Sequence, residues 1–445
     1  MMTACKKQDE YLDIKRNKTD VTPKTLEDFQ AVLDNNQVMN GYSSIIGLIG
    51  TDNLYAPDTY LDAADQTVRN AYLWNKDIYQ GTTAAEWQYP YQVVEYANIV
   101  LDGLNALSAD EQSQAVSNIK GSALFFRAYA FYELAQLYCK TYTPESAATD
   151  LGIPLRLTSD VNVRVGRSTL QATYDQILND LKSSVVLLPK VPLYKTRPSS
   201  TAAQALLAKV YFSKGDYDQA LNYVNNALLD NSSLIDFNTL TLTTANPFPT
   251  LAKGNPEVIF HAWGLGYTLT TLSGRGRISP DLYQSYEAGD LRKAAFFTAD
   301  GTTGYYRFKG SYSANAYYFC GIAVNELLLI KAECLARRED ITGALDNLNL
   351  LLRNRYTKTA YLPVSLANKG AILNRIILER RKEMPFTAQL RWEDLKRLNR
   401  QTETQSTLRR LYRNNEYILL PNDPRYVYPL PDDELQLNNL PQNSR

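Results

Sequence analysis

The chain has 445 residues, with 47 Lys plus Arg, 47 Asp plus Glu and one histidine, so its net charge is zero. That balance gives no cationic face for nucleic acid and no polybasic patch for a membrane surface. The lone His261 excludes a His-rich metal cluster and leaves any His-dependent triad resting on one residue.

At about 100–200 residues per domain the length fits two or three domains or one large one. The chain opens Met1-Met2-Thr3-Ala4-Cys5. Small residues before a cysteine resemble the end of a bacterial lipoprotein signal, with Cys5 as the lipid-attachment site and residues 1–4 as a signal remnant. The basic and apolar parts of such a signal are missing, so the start reads as truncated or misassigned. Residues 5–24 are polar and suit an anchor and tether. No run of about 18 apolar residues could cross a bilayer as a helix.

Helical periodicity begins at 25–38, where Thr25 is a candidate N-cap and Leu26, Phe29, Val32 and Leu33 share a face. Loop-like residues 50–88 follow, with a short helix from Asn70 to Tyr79. Two long amphipathic runs cover 87–107 and 112–138, and another spans 168–188 up to Pro189. Residues 199–229 give the clearest unit, two helices separated by Gly215. Small residues at 208, 220 and 227 and aromatics at 211 and 217 have the spacing of a tetratricopeptide pair, in which alanines let two helices approach closely. A weaker copy spans 325–352, with Ala332, Leu335, Ala344, Leu348 and Leu351 in equivalent places.

Between the copies lies 231–321, rich in Thr, Ser, Gly, Pro and Tyr, with strand-like pieces only at 257–263 and 304–308. Long irregular segments inside a compact protein usually carry function. His261 reads as a packed strand residue. Gly264/Gly266 and Gly274/Gly276 lack the context of a phosphate cradle. Cys139 and Cys334 read as buried small apolar residues, and no CxxC pair suggests zinc or redox chemistry. Residues 401–445, with five prolines, read as loop.

Several blocks occur in a specific order: Trp87-Gln88-Tyr89-Pro90-Tyr91 running to Ala97-Asn98; Lys120 to Leu134, including Phe125-Phe126-Arg127-Ala128-Tyr129; Gly152-Ile153-Pro154-Leu155; Glu379-Arg380-Arg381-Lys382-Glu383 followed by Leu390-Arg391-Trp392-Glu393-Asp394-Leu395; and Tyr428-Pro429-Leu430-Pro431. From about residue 25 to the end, this order resembles the SusD/RagB family. Ala388-Gln389 departs from it, standing where a glycine is common, and residues 321–325 lack an arginine often found there.

The resemblance implies a mainly α fold, a TPR-like scaffold with a loop-rich insertion carrying a few short strands. It divides the chain into a helical region 25–230, a ligand-binding insertion 231–321 and a C-terminal region 322–445. It implies a non-catalytic protein, lipid-anchored through Cys5 at the outer-membrane surface, without cofactor or metal. Such a protein binds an oligomeric nutrient, foremost a glycan with a peptide as the alternative, and delivers it to a SusC-like TonB-dependent transporter. Arg391, Trp392, Asp394 and Arg127 are read as architecture, with Arg391 paired to Glu379 or Glu383 across packed helices.

Sugar capture calls for aromatic planes with amides and guanidiniums around them. Two segments qualify: 50–88, with Asp52, Asn53, Tyr55, Trp74, Asn75 and Tyr79, and 263–320, with Trp263, Tyr267, Arg275, Arg277, Tyr305, Tyr306, Tyr312, Tyr317 and Tyr318. The expected contacts are Trp74, Asn75, Tyr79, Trp263, Tyr267, Tyr305, Tyr306 and Tyr317, with Trp74 as first choice or, equally, a core tryptophan. Alternation along a strand should turn one tyrosine of each of the pairs 305–306 and 317–318 outward.

Overall fold

The structure is a computed structural model that describes residues 23–445 except 42, 44, 108–112, 265, 268, 271–275, 302–303, 311 and 316. Cys5 and Arg275 therefore lie outside the described residues.

Helices dominate. Thr25 closes a capping box on Leu26–Leu33: its hydroxyl accepts from the Asp28 N–H at 3.2 Å, and the Asp28 carboxylate accepts from the Thr25 N–H at 3.0 Å. The expected long helices form at Ala85–Asn105, Gln114–Tyr138 and Leu170–Leu187. The helix expected to reach Tyr79 stops earlier, at Gln66–Tyr72, and Trp74 turns the chain with φ of 54°.

The pair Ser200–Lys214 and Tyr217–Asp230 is a helical hairpin, with Gly215 in the left-handed conformation at φ 82° between them. Ala208, Ala220 and Ala227 are completely buried, which lets the two backbones approach. Tyr211 and Tyr223 stack at 5.5 Å beside them. The second pair is Val324–Arg337 and Ile341–Leu352.

The helices form a chain of neighbours: 85–105 packs on 114–138, that on 170–187, then 200–214, 217–230, 324–337 and 369–383 in turn. The scaffold, broken in sequence by residues 231–321, is thus continuous in space. Arg355 fastens the insertion to it, reaching Glu257 at 2.9 Å, Glu383 at 2.8 Å and the Ile235 carbonyl at 2.8 Å.

The signature blocks build this interior. Arg127 makes a bidentate pair with Asp180 at 2.8 and 2.9 Å and reaches Asn98 at 2.9 Å. Arg292, fully buried, contacts Asp290 at 2.7 Å, Glu379 at 2.6 Å and Glu383 at 3.2 Å. The expected pairing of Arg391 with Glu379 or Glu383 is not the one formed: those carboxylates serve Arg292, Lys382 and Arg355, and Arg391 holds Asp52 at 2.8 Å through two bonds. Trp392 is also buried, but against the 46–50 segment. A Cβ on Gly50 would meet its ring at 2.7 Å, so only glycine admits that approach.

The strands are short antiparallel pairs. Val258–Phe260 pairs with Ile322–Ala323, Trp263–Gly264 with Tyr318–Phe319, Leu54–Tyr55 with Arg277–Ile278, and Phe297–Ala299 with Tyr306–Phe308. The region 401–445, expected to be loop, contains a hairpin, Leu408–Tyr412 with Asn415–Leu419, and a helix, Asp432–Asn438. Among the described residues no helix is long and apolar enough to cross a membrane.

Candidate functional site

The expected contacts divide by burial. Trp74 is 2% exposed, and its indole N–H donates to the Gly50 carbonyl at 2.9 Å. Arg410 from the 408–412 strand covers it. That guanidinium lies 4.5 Å from the Trp74 ring and 3.6 Å from that of Tyr72, and donates to the Ile49 and Thr51 carbonyls. Trp74 is therefore a core residue with no free face for a ligand. Tyr79 is buried as well, its hydroxyl 2.8 Å from that of Tyr138. Asn75 is half-buried and spends its amide on the Asn70 side chain at 2.9 Å. Asp52 and Asn53 are tied to Arg391 and to the Pro385 carbonyl.

The second segment keeps its rings at the surface. Trp263 is half-buried on its short strand and stacks with Tyr317 at 6.4 Å and 30°. Tyr317, just before the Tyr318–Phe319 strand, is 40% exposed, while Tyr318 and Phe319 are both buried. Behind them His261 is packed between Trp263 and Phe319, and burial pushes its pKa down to about 4. Tyr267 is half-buried in the turn that follows, its N–H bonded to the Thr270 hydroxyl at 2.7 Å.

A second ring cluster forms where residues 54–55, 277–278 and 306–308 come together. Tyr305 and Tyr306 both remain half-buried, because each is covered by another tyrosine. Tyr55 stacks on Tyr305 at 5.4 Å and 8°, and Tyr283 on Tyr306 at 3.6 Å and 15°. Arg277 lies 4.9 Å from the Tyr60 ring, and Asp300 bridges Arg277 at 2.5 Å and Arg307 at 3.0 Å. Burial raises the pKa of the Tyr55 and Tyr283 hydroxyls, so both stay protonated donors at neutral pH. Tyr60, Tyr283, Asp300 and Arg307 escaped the sequence reading. Tyr60 and Tyr283 lie on five-residue helices and Arg307 on a three-residue strand, elements too short for a period to mark a face. Tyr312 belongs to the core, donating to Glu257 at 2.6 Å.

Carboxyl groups with raised pKa lie elsewhere. Burial lifts Glu86 to about 7 and Glu133 to about 8, both inside the helical body.

Residues 10–212 match a family model described as "Starch-binding associating with outer membrane", and "SusD-like protein P2" of Formosa agariphila is 24% identical, across 94% of this chain and 92% of that one. The chain is similar to SusD-like proteins. Solved structures share the fold. A SusD superfamily protein from Bacteroides thetaiotaomicron aligns with a TM-score of 0.76 at 20% identity, covering 95% of this chain and all of that one. A laminarin binding SusD-like protein aligns with a TM-score of 0.65 at 18% identity, covering 93% and 97%. The mainly α scaffold with small strand pairs is the SusD-like architecture.

Proposed function

We propose that this protein captures an oligosaccharide without transforming it, at the half-exposed rings of residues 263–317 and their neighbour Tyr55. The observation that carries the reading is the Trp263–Tyr317 pair. It offers an indole on a strand pair and a partly exposed phenol just before the partner strand, a surface suited to the C–H face of a sugar ring. Arg277, Arg307 and Asp300, clustered with Tyr60 and Tyr305, supply donors and acceptors for sugar hydroxyls. The starch-binding description of the matching family and the laminarin binding relative favour a glycan as ligand.

In this reading the protein sits at the outer membrane through a lipid on Cys5 and passes its ligand to a SusC-like TonB-dependent transporter. The membrane is touched only by the anchor. An array of oligosaccharides beside a peptide library tests the ligand class: saturable binding to glycans supports the reading, and binding to peptides alone overturns it. Product analysis after incubation with the bound glycan tests the non-catalytic part, which turnover would contradict. Labelling with a lipid precursor, and loss of the label in Cys5→Ser, tests the anchor.

A further inference from the structure

A second cleft lies away from the rings, between the Leu390–Leu398 helix, the 140–150 segment and the C-terminal residues 422–427 and 443–444. Its volume is about 470 Å³, within the range of small-molecule sites. Its lining residues include the charged Lys140, Asp150, Lys396 and Arg400 and the amides Asn422 and Asn443, beside apolar surface such as that of Pro424 and Val427.

Its charges do not balance. Asp150 is held by Lys140 at 2.7 Å and by the Ser146 hydroxyl at 2.6 Å. Asp423 is held by Arg425 in a two-bond pair at 2.9 and 2.7 Å. Two cations remain. Lys396 is buried, and its Nζ donates to the Gln136 and Cys139 carbonyls at 2.5 and 2.8 Å. Arg400, at the rim, donates to the Lys214 carbonyl at 3.0 Å. Neither meets a carboxylate among the described residues. Burial draws the pKa of Lys396 down to about 8, with the charge of Glu393 opposing the fall.

The same wall holds two orphaned groups. The Asn399 side-chain N–H2 and the Tyr426 hydroxyl belong to residues 0% and 4% exposed, and neither has a hydrogen-bond partner. Asn399 lies near enough to Tyr426 to oppose the rise to about 12 that burial imposes on its hydroxyl, yet the two do not meet in bonding geometry. Leaving such a group unpaired is costly, because it has lost its hydrogen bond to water. Both can donate, as Lys396 and Arg400 do.

We propose that this cleft is a second ligand site, one that takes a small oxyanion, free or carried on a sugar as a carboxylate. The proposal does not rest on the glycan reading of the aromatic surface. Its chemistry is recognition by charge-assisted donors, and the volume leaves room for a monosaccharide behind the anionic group.

Calorimetry on the full chain with D-glucuronate, D-glucose and inorganic sulfate tests it. Glucuronate should bind saturably, and glucose at least about tenfold more weakly, since a charged hydrogen bond is worth at least a factor of ten. Sulfate equal to glucuronate would identify the free ion as the source, and glucuronate binding more tightly would identify the sugar acid. Arg400→Gln should weaken glucuronate about tenfold and Arg400→Glu should remove it, with Trp263→Ala leaving it unchanged. Tyr426→Phe deletes a hydroxyl that bonds nothing in the protein, so it should weaken binding without lowering the unfolding midpoint. The absence of saturable binding would overturn the proposal. So would equal affinity for glucose, or unchanged affinity in folded Arg400→Gln and Tyr426→Phe.

Discussion

Trp74 and Trp263 occupy loop-rich segments of similar composition, yet one is sealed in the core and the other shares a surface with Tyr317. The difference lies in the distant chain laid over each. Arg410 closes over Trp74 from a hairpin more than 300 residues away in sequence. Trp263 sits on a two-residue strand paired with Tyr318–Phe319, and Tyr317, just before that partner strand, lies exposed beside it. Residue type makes a ring suitable for a ligand; tertiary cover decides whether it is free.

The contrast extends to charge. The scaffold buries its ion pairs and the insertion displays rings, so substitutions in the two should separate folding from binding. The largest effect is expected from Glu383→Ala, which strips Arg292, Arg355 and Asn325 of one shared carboxylate. Breaking a buried pair on one side costs about 3–5 kcal/mol, measurable as a lower urea midpoint. Trp74→Ala should follow at about 3–4 kcal/mol, through the cavity it leaves and the lost contact with Arg410. Its remaining folded fraction should bind glycan with normal affinity. Loss of affinity in that fraction would break the comparison and return Trp74 to the site.

A smaller effect concerns pH. His261 is the one histidine of the chain, and its folded pKa of about 4 lies below the ordinary 6.5. The neutral ring is what the fold accepts, so its contribution is complete above about pH 6.5 and is lost as the pH falls toward 4. That linkage is worth at most about 3 kcal/mol. His261→Leu should lose less stability than the wild type between pH 7 and 4.5. Comparing variant with wild type matters, because Glu86 and Glu133, with raised pKa values, act in the opposite direction over part of that range. Parallel losses would show that His261 is not the group titrating. Smallest in stability is Tyr317→Ala, expected to shift unfolding by under about 0.5 kcal/mol as a surface change.

The helices were legible where burial imposes a period: Thr25 marked a start, Gly215 a stop, and the alanines at 208, 220 and 227 a close approach. The 408–419 hairpin was not read, although Leu408, Arg410 and Tyr412 alternate inward with Arg409 and Leu411 outward. Flanking prolines suggested loop, and Arg413-Asn414, both at positive φ, form a tight turn without the usual glycine. Missing that hairpin removed the one clue that Trp74 is covered. The partner of Arg391 was misread for a related reason: Asp52 is more than 300 residues away, and Glu379 and Glu383 were carboxylates on the helix that precedes it in sequence. Within the candidate site, one of Tyr317 and Tyr318 was expected to face outward, and Tyr317 does. Tyr60 and Tyr283 sit on five-residue helices, Asp58–Asp62 and Pro280–Gln284, too short to show a helical period in the sequence.

The central claim is tested most directly by calorimetric titration of laminarin and starch oligosaccharides into the wild type and Trp263→Ala/Tyr317→Ala. The expected result is saturable binding of at least one glycan to the wild type, weakened by about tenfold or more in the double variant at an unchanged unfolding midpoint. Equal affinity in both proteins would contradict it.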